Sequence, residues 1–539
     1  MEDVIQNQEP AQEQLQLVID LYTQNQQHQA LAKGAQLLEE FPNSVLLNNI
    51  CGASNARLKQ FDAAIDNYKK AIAIKPDYAE AFYNMGNVLK LKGDLESAIV
   101  SYAQAIKINP NYAEAHYNIG NLLRLKGDQN AAIANYAQAI QIRPNYAEAY
   151  NNMGTALQDK GDQEVAINCY TKAINIRSDY AEAYSNMGNA LQDKGELETA
   201  ISWYKKAIAI QPDFAEVYHN MGNALQFKGG LCDAIESYKK AINIRPTYAE
   251  AYSSVGEAYL TIGNYTLSAD FYEISIVHFA NNPRMREKTQ NMLLKTLYFL
   301  KDKPRFLKHL NKLNSLGQKN SVIGSFSCRA AARYGLKIEN GFCRKPMDYV
   351  LEKSLLQLCD FEKTLLKPAR KMLDSDNIIE KKQPLLRNGH QTAGNIFATE
   401  NYFSSNVKDL IVQEIEHYRN NFIDSLEGLI KNWPAEYTLY GWLVSMKSGG
   451  SIRPHMHENG WISGSIYINV PRSSKKGGGN LVLCIEDPEY LADETAALEK
   501  IVDVQTGSLC LFPSSLLHHT IPFESLEDRI VLAFDVIAK

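Results

Sequence analysis

A period of 34 residues constrains this chain more than any other feature. Pro76, Pro110, Pro144, Pro212 and Pro246 recur on that spacing, with Ser178 filling the one gap. Between them Gly86, Gly120, Gly154, Gly188, Gly222 and Gly256 recur, then Ala98, Ala132, Ala166, Ala200 and Ala234, then Tyr102, Tyr136, Tyr170, Tyr204, Tyr238 and Tyr272. Small residues where two helices cross, a large ring for the groove and a proline at the turn describe a helical hairpin. Such hairpins bury their apolar faces only by stacking, which yields a superhelix with a long concave surface. Seven copies run from Val45 to about His278, and the drift to Ser268, Ser275 and Ala280 marks the end. We read residues 1–44 as a divergent capping repeat and 45–282 as the repeats proper.

This pattern resembles the tetratricopeptide repeat, which implies an all-α solenoid. A polar column accompanies it. Asn84, Asn118, Asn152, Asn186 and Asn220 hold one position while the preceding residue varies through Tyr83, Tyr117, Asn151, Ser185 and His219. Asn87, Asn121, Asn189 and Asn223 form a second column, with Thr155 intervening. Asparagine is a poor helix-interior residue, so its recurrence needs a cause. The columns are similar to the asparagine ladder of the O-linked N-acetylglucosamine transferase repeats, where side-chain amides hold a peptide backbone. That resemblance implies peptide binding at Asn84, Asn118, Asn152, Asn186 and Asn220; the other reading is an inert relic of duplication.

Charge is nearly balanced, 56 basic against 61 acidic residues, so no nucleic-acid footprint is visible. The opening "MEDVIQNQEPAQEQLQ" lacks the apolar core of a secretory signal, and no apolar run is long enough for a membrane span. The eight cysteines form no CxxC pair. The expectation is a cytoplasmic protein with no nucleic-acid or membrane partner.

From residue 283 to 382 the register is lost, and "MLLKTLYFLKDKPRFLKHLNKLNSL" has helical apolar spacing with basic residues opposite, read as a helical connector with a solvated lysine face. The last domain is placed at 383–539. "LLRNGHQTAGNIFATENYF" has loop composition and "SSNVKDLIVQEIEHYRNNFIDSL" reads as a helix. "YTLYGWLVSM", "WISGSIYINV", "NLVLCI", "GSLCLF" and "RIVLAFDVI" follow as short strands between Gly, Pro and Ser clusters, which implies a sandwich or barrel. In the second of these Ile462, Gly464, Ile466, Ile468 and Val470 face one way, and Ser463, Ser465, Tyr467 and Asn469 the other.

Four of the 11 histidines lie between Arg453 and Arg529, ordered as His455-Met-His457, then His518-His519, then Arg529. With "HMHENGWISGSIY", "LFPSSLLHHTIPF" and "DRIVLAFDV", the region is similar to the iron(II)/2-oxoglutarate oxygenases, some of which are attached to tetratricopeptide repeats. The resemblance covers Pro384 to Val536 and implies a double-stranded β-helix, or jelly roll. The fold class expected is therefore an α+β multidomain chain, solenoid first and jelly roll last. It also implies Fe(II) held by His455, His457 and His518, with Arg529 on the far carboxylate of the cosubstrate 2-oxoglutarate, and Ser463 and Tyr467 touching that cosubstrate. His519 is read as a non-ligand. Dioxygen is the co-reactant and a polypeptide in the repeat groove the expected partner or substrate. The sequence departs from the family at His457, where a carboxylate usually stands, so Glu458 is held as a reserve ligand. Two other readings stay open: a non-catalytic scaffold with a degenerate β-domain, and a cupin-type dioxygenase that uses three histidines without a ketoacid.

Overall fold

The computed structural model describes residues 9–358, 360–374, 380–381, 385–398, 402–487 and 498–539. The chain forms two compact units, Met1–Ala258 and Tyr259–Lys539.

Helical hairpins fill the first unit, beginning with Gln12–Thr23 and Gln27–Glu40. One repeat shows why they form. Helix Ala113–Leu125 and helix Gln129–Ile142 are joined through Gly127, whose φ of 83° is readily available to glycine, and the Asp128 side chain caps the second helix at the Ala131 amide. The Tyr136 ring lies fully buried against Gly120, where an added Cβ would stand 2.7 Å from a ring carbon. Gly86, Gly154, Gly188 and Gly222 meet Tyr102, Tyr170, Tyr204 and Tyr238 in the same way.

The asparagine columns join one repeat to the next. Tyr136 Oη donates to Asn121 Oδ1 at 2.8 Å, and that oxygen also accepts from the amide nitrogen of Asn152, 2.8 Å away on the following repeat. Asn152 donates to Tyr117 Oη as well. The amide nitrogens of Asn84, Asn118, Asn186 and Asn220 reach back to Asn49, to Tyr83 and Asn87, to Asn151, and to Asn189. Part of the column's hydrogen-bonding capacity is therefore spent between repeats, while Asn84, Asn186 and Asn220 each give only one of their two amide N–H groups to the preceding repeat.

The second unit opens with the last repeat helix, Tyr265–His278, followed by helices Pro283–Phe299, Lys303–Ser315 and Ser321–Tyr334, packed around Tyr272, Leu293, Leu297, Tyr298, Phe306, Leu310 and Phe326. Among the described residues ten strands follow: β1 (Leu351–Ser354), β2 (Glu380–Lys381), β3 (Leu386–Thr392), β4 (Tyr437–Ile452), β5 (Ile462–Asn469), β6 (Leu481–Cys484), β7 (Glu499–Val502), β8 (Ser508–Pro513), β9 (Leu517–Thr520) and β10 (Arg529–Ala538). They make a seven-stranded sheet in the order β1-β8-β5-β10-β4-β3-β2 and a three-stranded sheet β7-β6-β9, all pairs antiparallel.

Alternation divides the large sheet. Ile462, Ile466 and Ile468 of β5 join Leu532, Phe534 and Val536 of β10 in a core that includes Val407, Ile411 and Ile415 of helix Tyr402–Asn421. The opposite face carries Tyr467 and Val531 and packs with Leu481 and Leu483 of β6. Four strands lie outside the segments and motifs read as strands from sequence. β1 and β2 fall in the presumed connector and pair with β8 and β3, β3 runs through the stretch read as loop, and β7 pairs with β6. The pairing of β3 with β4 shifts register between Arg387 and Gly389, and its polar residues lack apolar alternation. The expected boundary at 382/383 lies outside the described residues. Among the described residues, no helix is long and apolar enough to cross a membrane.

Candidate metal centre

The turn from β4 to β5 carries "RPHMHENGW" across the edge of the smaller sheet. His455 and His518 pair there by two backbone hydrogen bonds, His455 N to His518 O at 3.2 Å and His518 N to His455 O at 2.8 Å. That bridge sets the two imidazoles side by side, with ring centroids 4.3 Å apart. His457 stands against both, and nitrogen atoms of the three rings all lie within 4.8 Å of one another.

Hydrogen bonds fix the orientation of two rings. His455 Nδ1 is 2.9 Å from the Arg453 carbonyl oxygen, and His457 Nδ1 is 2.6 Å from Asp535 Oδ1. Acceptors at both Nδ1 atoms place the protons of the neutral rings there, so both Nε2 atoms present lone pairs, 3.3 Å apart. Two lone pairs at that distance repel unless a cation lies between them. His518 Nδ1 is buried without a hydrogen-bond partner. Burial, then the neighbouring His457, holds His455 down to about 4, and burial holds His518 well below the ordinary imidazole range. Converging imidazoles, two of them held uncharged by burial, with an orphaned nitrogen suit a divalent transition metal.

Arg529 is 2% exposed, and its Nε has no partner. Its guanidinium stands 5.1 Å over the Tyr467 ring, and Nη1 reaches only Met446 Sδ, at 3.9 Å. Burial lowers its pKa. No carboxylate of the described residues pairs with it, an expensive state for a buried cation that meets no anion. Arg529, Tyr467, Ser465 and His518 line a small inner cavity, which shares Gln391, Trp442, His455 and His457 with an outer groove of about 730 Å³.

The remaining expected residues are placed differently. Ser463 Oγ is shared among Asp535 Oδ1 (2.8 Å), Ser514 Oγ (2.8 Å) and His457 Nδ1 (3.1 Å). It therefore stands behind His457 and not in the cavity, against the expectation that it touches cosubstrate. Glu458, the reserve ligand, stands outside the three-ring cluster, and its carboxylate takes Lys295 Nζ at 2.7 Å. Alternation in the turn explains why, since His455 and His457 face the centre while Met456 packs on the helical core and Glu458 meets helix Pro283–Phe299. His519 is outside the three-ring cluster.

The helices read as an inert connector form a wall of the groove, with Lys295, Phe299, Phe326 and Arg329 lining it. Ser321 Oγ donates to the Glu458 carbonyl at 2.9 Å, which ties helix Ser321–Tyr334 to the histidine turn. Glu486, 1% exposed, receives Arg329 Nη2 at 2.6 Å and the Tyr298 hydroxyl. Asp535 and Trp442 also stand at the site and were not among the residues expected there. Trp442 lines the groove in edge contact with His457. Asp535 had a signal: it lies six residues beyond Arg529 on β10, with the same parity.

Residues 440–535 match the family model described as "Putative 2OG-Fe(II) oxygenase", and six segments between 56 and 263 match the one described as "TPR repeat". The chain joins tetratricopeptide repeats to a domain of that oxygenase family. The oxygenase match contains all three histidines, Arg529 and Asp535, whereas the helical wall of the groove lies outside it. Solved structures similar to the chain include MamA, at 30% identity over 32% of this chain and 94% of that one with a TM-score of 0.29. YrrB, titled a TPR protein with an unusual peptide-binding site, shares 25% identity over 34% of this chain and 95% of its own, with a TM-score of 0.30. No curated protein matches the chain.

Proposed function

We propose that the oxygenase-family domain uses iron(II), 2-oxoglutarate and dioxygen to hydroxylate a C–H bond of a polypeptide recruited by the repeats. When bound, iron and ketoacid direct one atom of dioxygen into succinate, with loss of carbon dioxide, and the other into the substrate. His455 and His457, each through Nε2, and His518 are the residues that would hold the metal. Arg529 would take the far carboxylate of the ketoacid, since a buried planar guanidinium suits a carboxylate fork. The Tyr467 ring supports that guanidinium, and the rings of Trp442 and Phe512 flank His457 and His518 and exclude water. The repeats would bring substrate to the domain and raise its effective concentration there. The amide oxygens of Asn84, Asn118, Asn152, Asn186 and Asn220, with the N–H groups not spent between repeats, are the groups proposed to read that polypeptide.

One observation carries the reading: three converging imidazoles beside a buried arginine that no carboxylate of the described residues neutralises. The arginine favours a ketoacid enzyme over a three-histidine cupin, which has no need of it. The test is succinate formation from 2-oxoglutarate in air by iron(II)-loaded protein. Turnover lost in both His518→Ala and Arg529→Ala is the expected result; wild-type turnover that both variants retain would overturn the proposal.

A further inference from the structure

Among known ligand sets, three neutral histidines leave a divalent metal with its whole charge, so the absence of a coordinating carboxylate in "HMHE" calls for compensation. We infer that Asp535 is the positioning residue that supplies this negative charge through His457, one hydrogen bond away from the metal. The inference rests on the proposed metal site.

Its position is built from three sides. Asp535 lies opposite Ser463 in the register of β10 with β5, so alternation turns both inward. The Ser463 hydroxyl donates to Asp535 Oδ1 at 2.8 Å and is itself held by Ser514 Oγ. The turn closes over the carboxylate at Gly460, where an added Cβ would fall 2.4 Å from Ser514 Oγ and 3.2 Å from Asp535 Oδ1. Any side chain at Gly460 would collide with the pair, so the glycine is part of the device.

The carboxylate itself is 7% exposed, and among the described residues its only ion-pair partner is His457. The Ser463 hydroxyl donates to Oδ1 but leaves the charge in place. A buried carboxylate paired with nothing but an imidazole N–H is costly, and the cost is offset when a cation lies on the far side of that ring. The arrangement is that of a carboxylate–histidine–metal relay, which fixes the tautomer and makes the ligating nitrogen more basic. Glu458, the nearest alternative carboxylate in sequence, is neutralised by Lys295 and cannot do this.

Cobalt(II), a spectroscopic stand-in for iron(II), tests the inference in the full-length chain without any turnover. Wild type, Asp535→Asn, Ser463→Ala and His518→Ala would be titrated anaerobically against a competing chelator, with thermal melts to verify folding. Asparagine preserves size and an acceptor for His457 Nδ1–H, so a purely structural role would survive the change. We expect Asp535→Asn to bind cobalt about 10–100-fold more weakly with an unaltered melt, the usual effect of losing an outer-shell partner. Ser463→Ala should weaken binding by less than that but by more than about twofold. Folded Asp535→Asn that binds like wild type would overturn the inference and leave the metal site standing. Should Asp535→Asn fail to fold, Ser463→Ala decides, and a change below about twofold overturns it. Wild type that binds no cobalt, matching His518→Ala, would instead sink the metal site and this inference together.

Discussion

In the repeat array, each amide nitrogen of the Asn84–Asn220 column has a partner on the preceding repeat; in the strand domain, His518 Nδ1 and Arg529 Nε are buried with none, and two imidazole lone pairs face each other at 3.3 Å. Both regions place polar side chains among apolar ones. The first repeats them because a repeat-to-repeat contact repeats, and the hydrogen bonds close on themselves. The second assembles them once, from four segments, and leaves them unsatisfied. A buried polar group without a partner costs about 1–3 kcal/mol, more when charged. Such a cost at one place, beside converging ligands, marks a site more reliably than periodicity does.

If that contrast holds, substitutions in the two regions must separate binding from stability. The largest effect belongs to the metal ligands. His457→Ala should lose more than the roughly 10–100-fold in metal affinity expected of an outer-shell change, with little change in the melting curve. Near-normal affinity by cobalt titration would break the contrast from the strand side. Next, Tyr136→Ala removes a ring packed on Gly120, so about 3–5 kcal/mol should be lost in urea unfolding while metal affinity stays the same. Asn118→Ala, which cuts two inter-repeat bonds, should cost about 0.5–1.5 kcal/mol for each. A variant as stable as wild type but weaker for a bound polypeptide would favour the peptide-binding view of the ladder. The smallest effect is Glu458→Gln: its pair with Lys295 is partly exposed, so stability should change by about 0–1 kcal/mol and metal affinity not at all. Metal loss in that variant would reinstate Glu458 as a ligand.

The repeats were readable from sequence because glycine, alanine and tyrosine recur for packing reasons at fixed distances. The asparagines recur just as faithfully, and recurrence alone cannot separate a contact between repeats from a contact with a ligand. At the metal centre the histidines stood out by order and spacing. Parity also put Tyr467 on the inward face, where Arg529 stands over its ring. The same parity applied to β10 would have picked out Asp535 with Arg529, yet attention went to the residue adjacent to the histidines. Glu458 is adjacent in chain but opposite in direction, as alternation requires. The groove wall from Lys295 to Arg329 was not readable, because its basic residues look like a solvated face until Glu458 and Glu486 meet them across more than 150 residues of chain.

Binding of 2-oxoglutarate, measured by anaerobic calorimetry with and without iron(II), tests the central claim most directly. The account predicts one ketoacid per chain, bound only when iron is present, and lost in Arg529→Ala although iron still binds. Equal binding by wild type and Arg529→Ala, or iron-loaded wild type that takes no 2-oxoglutarate, would contradict it.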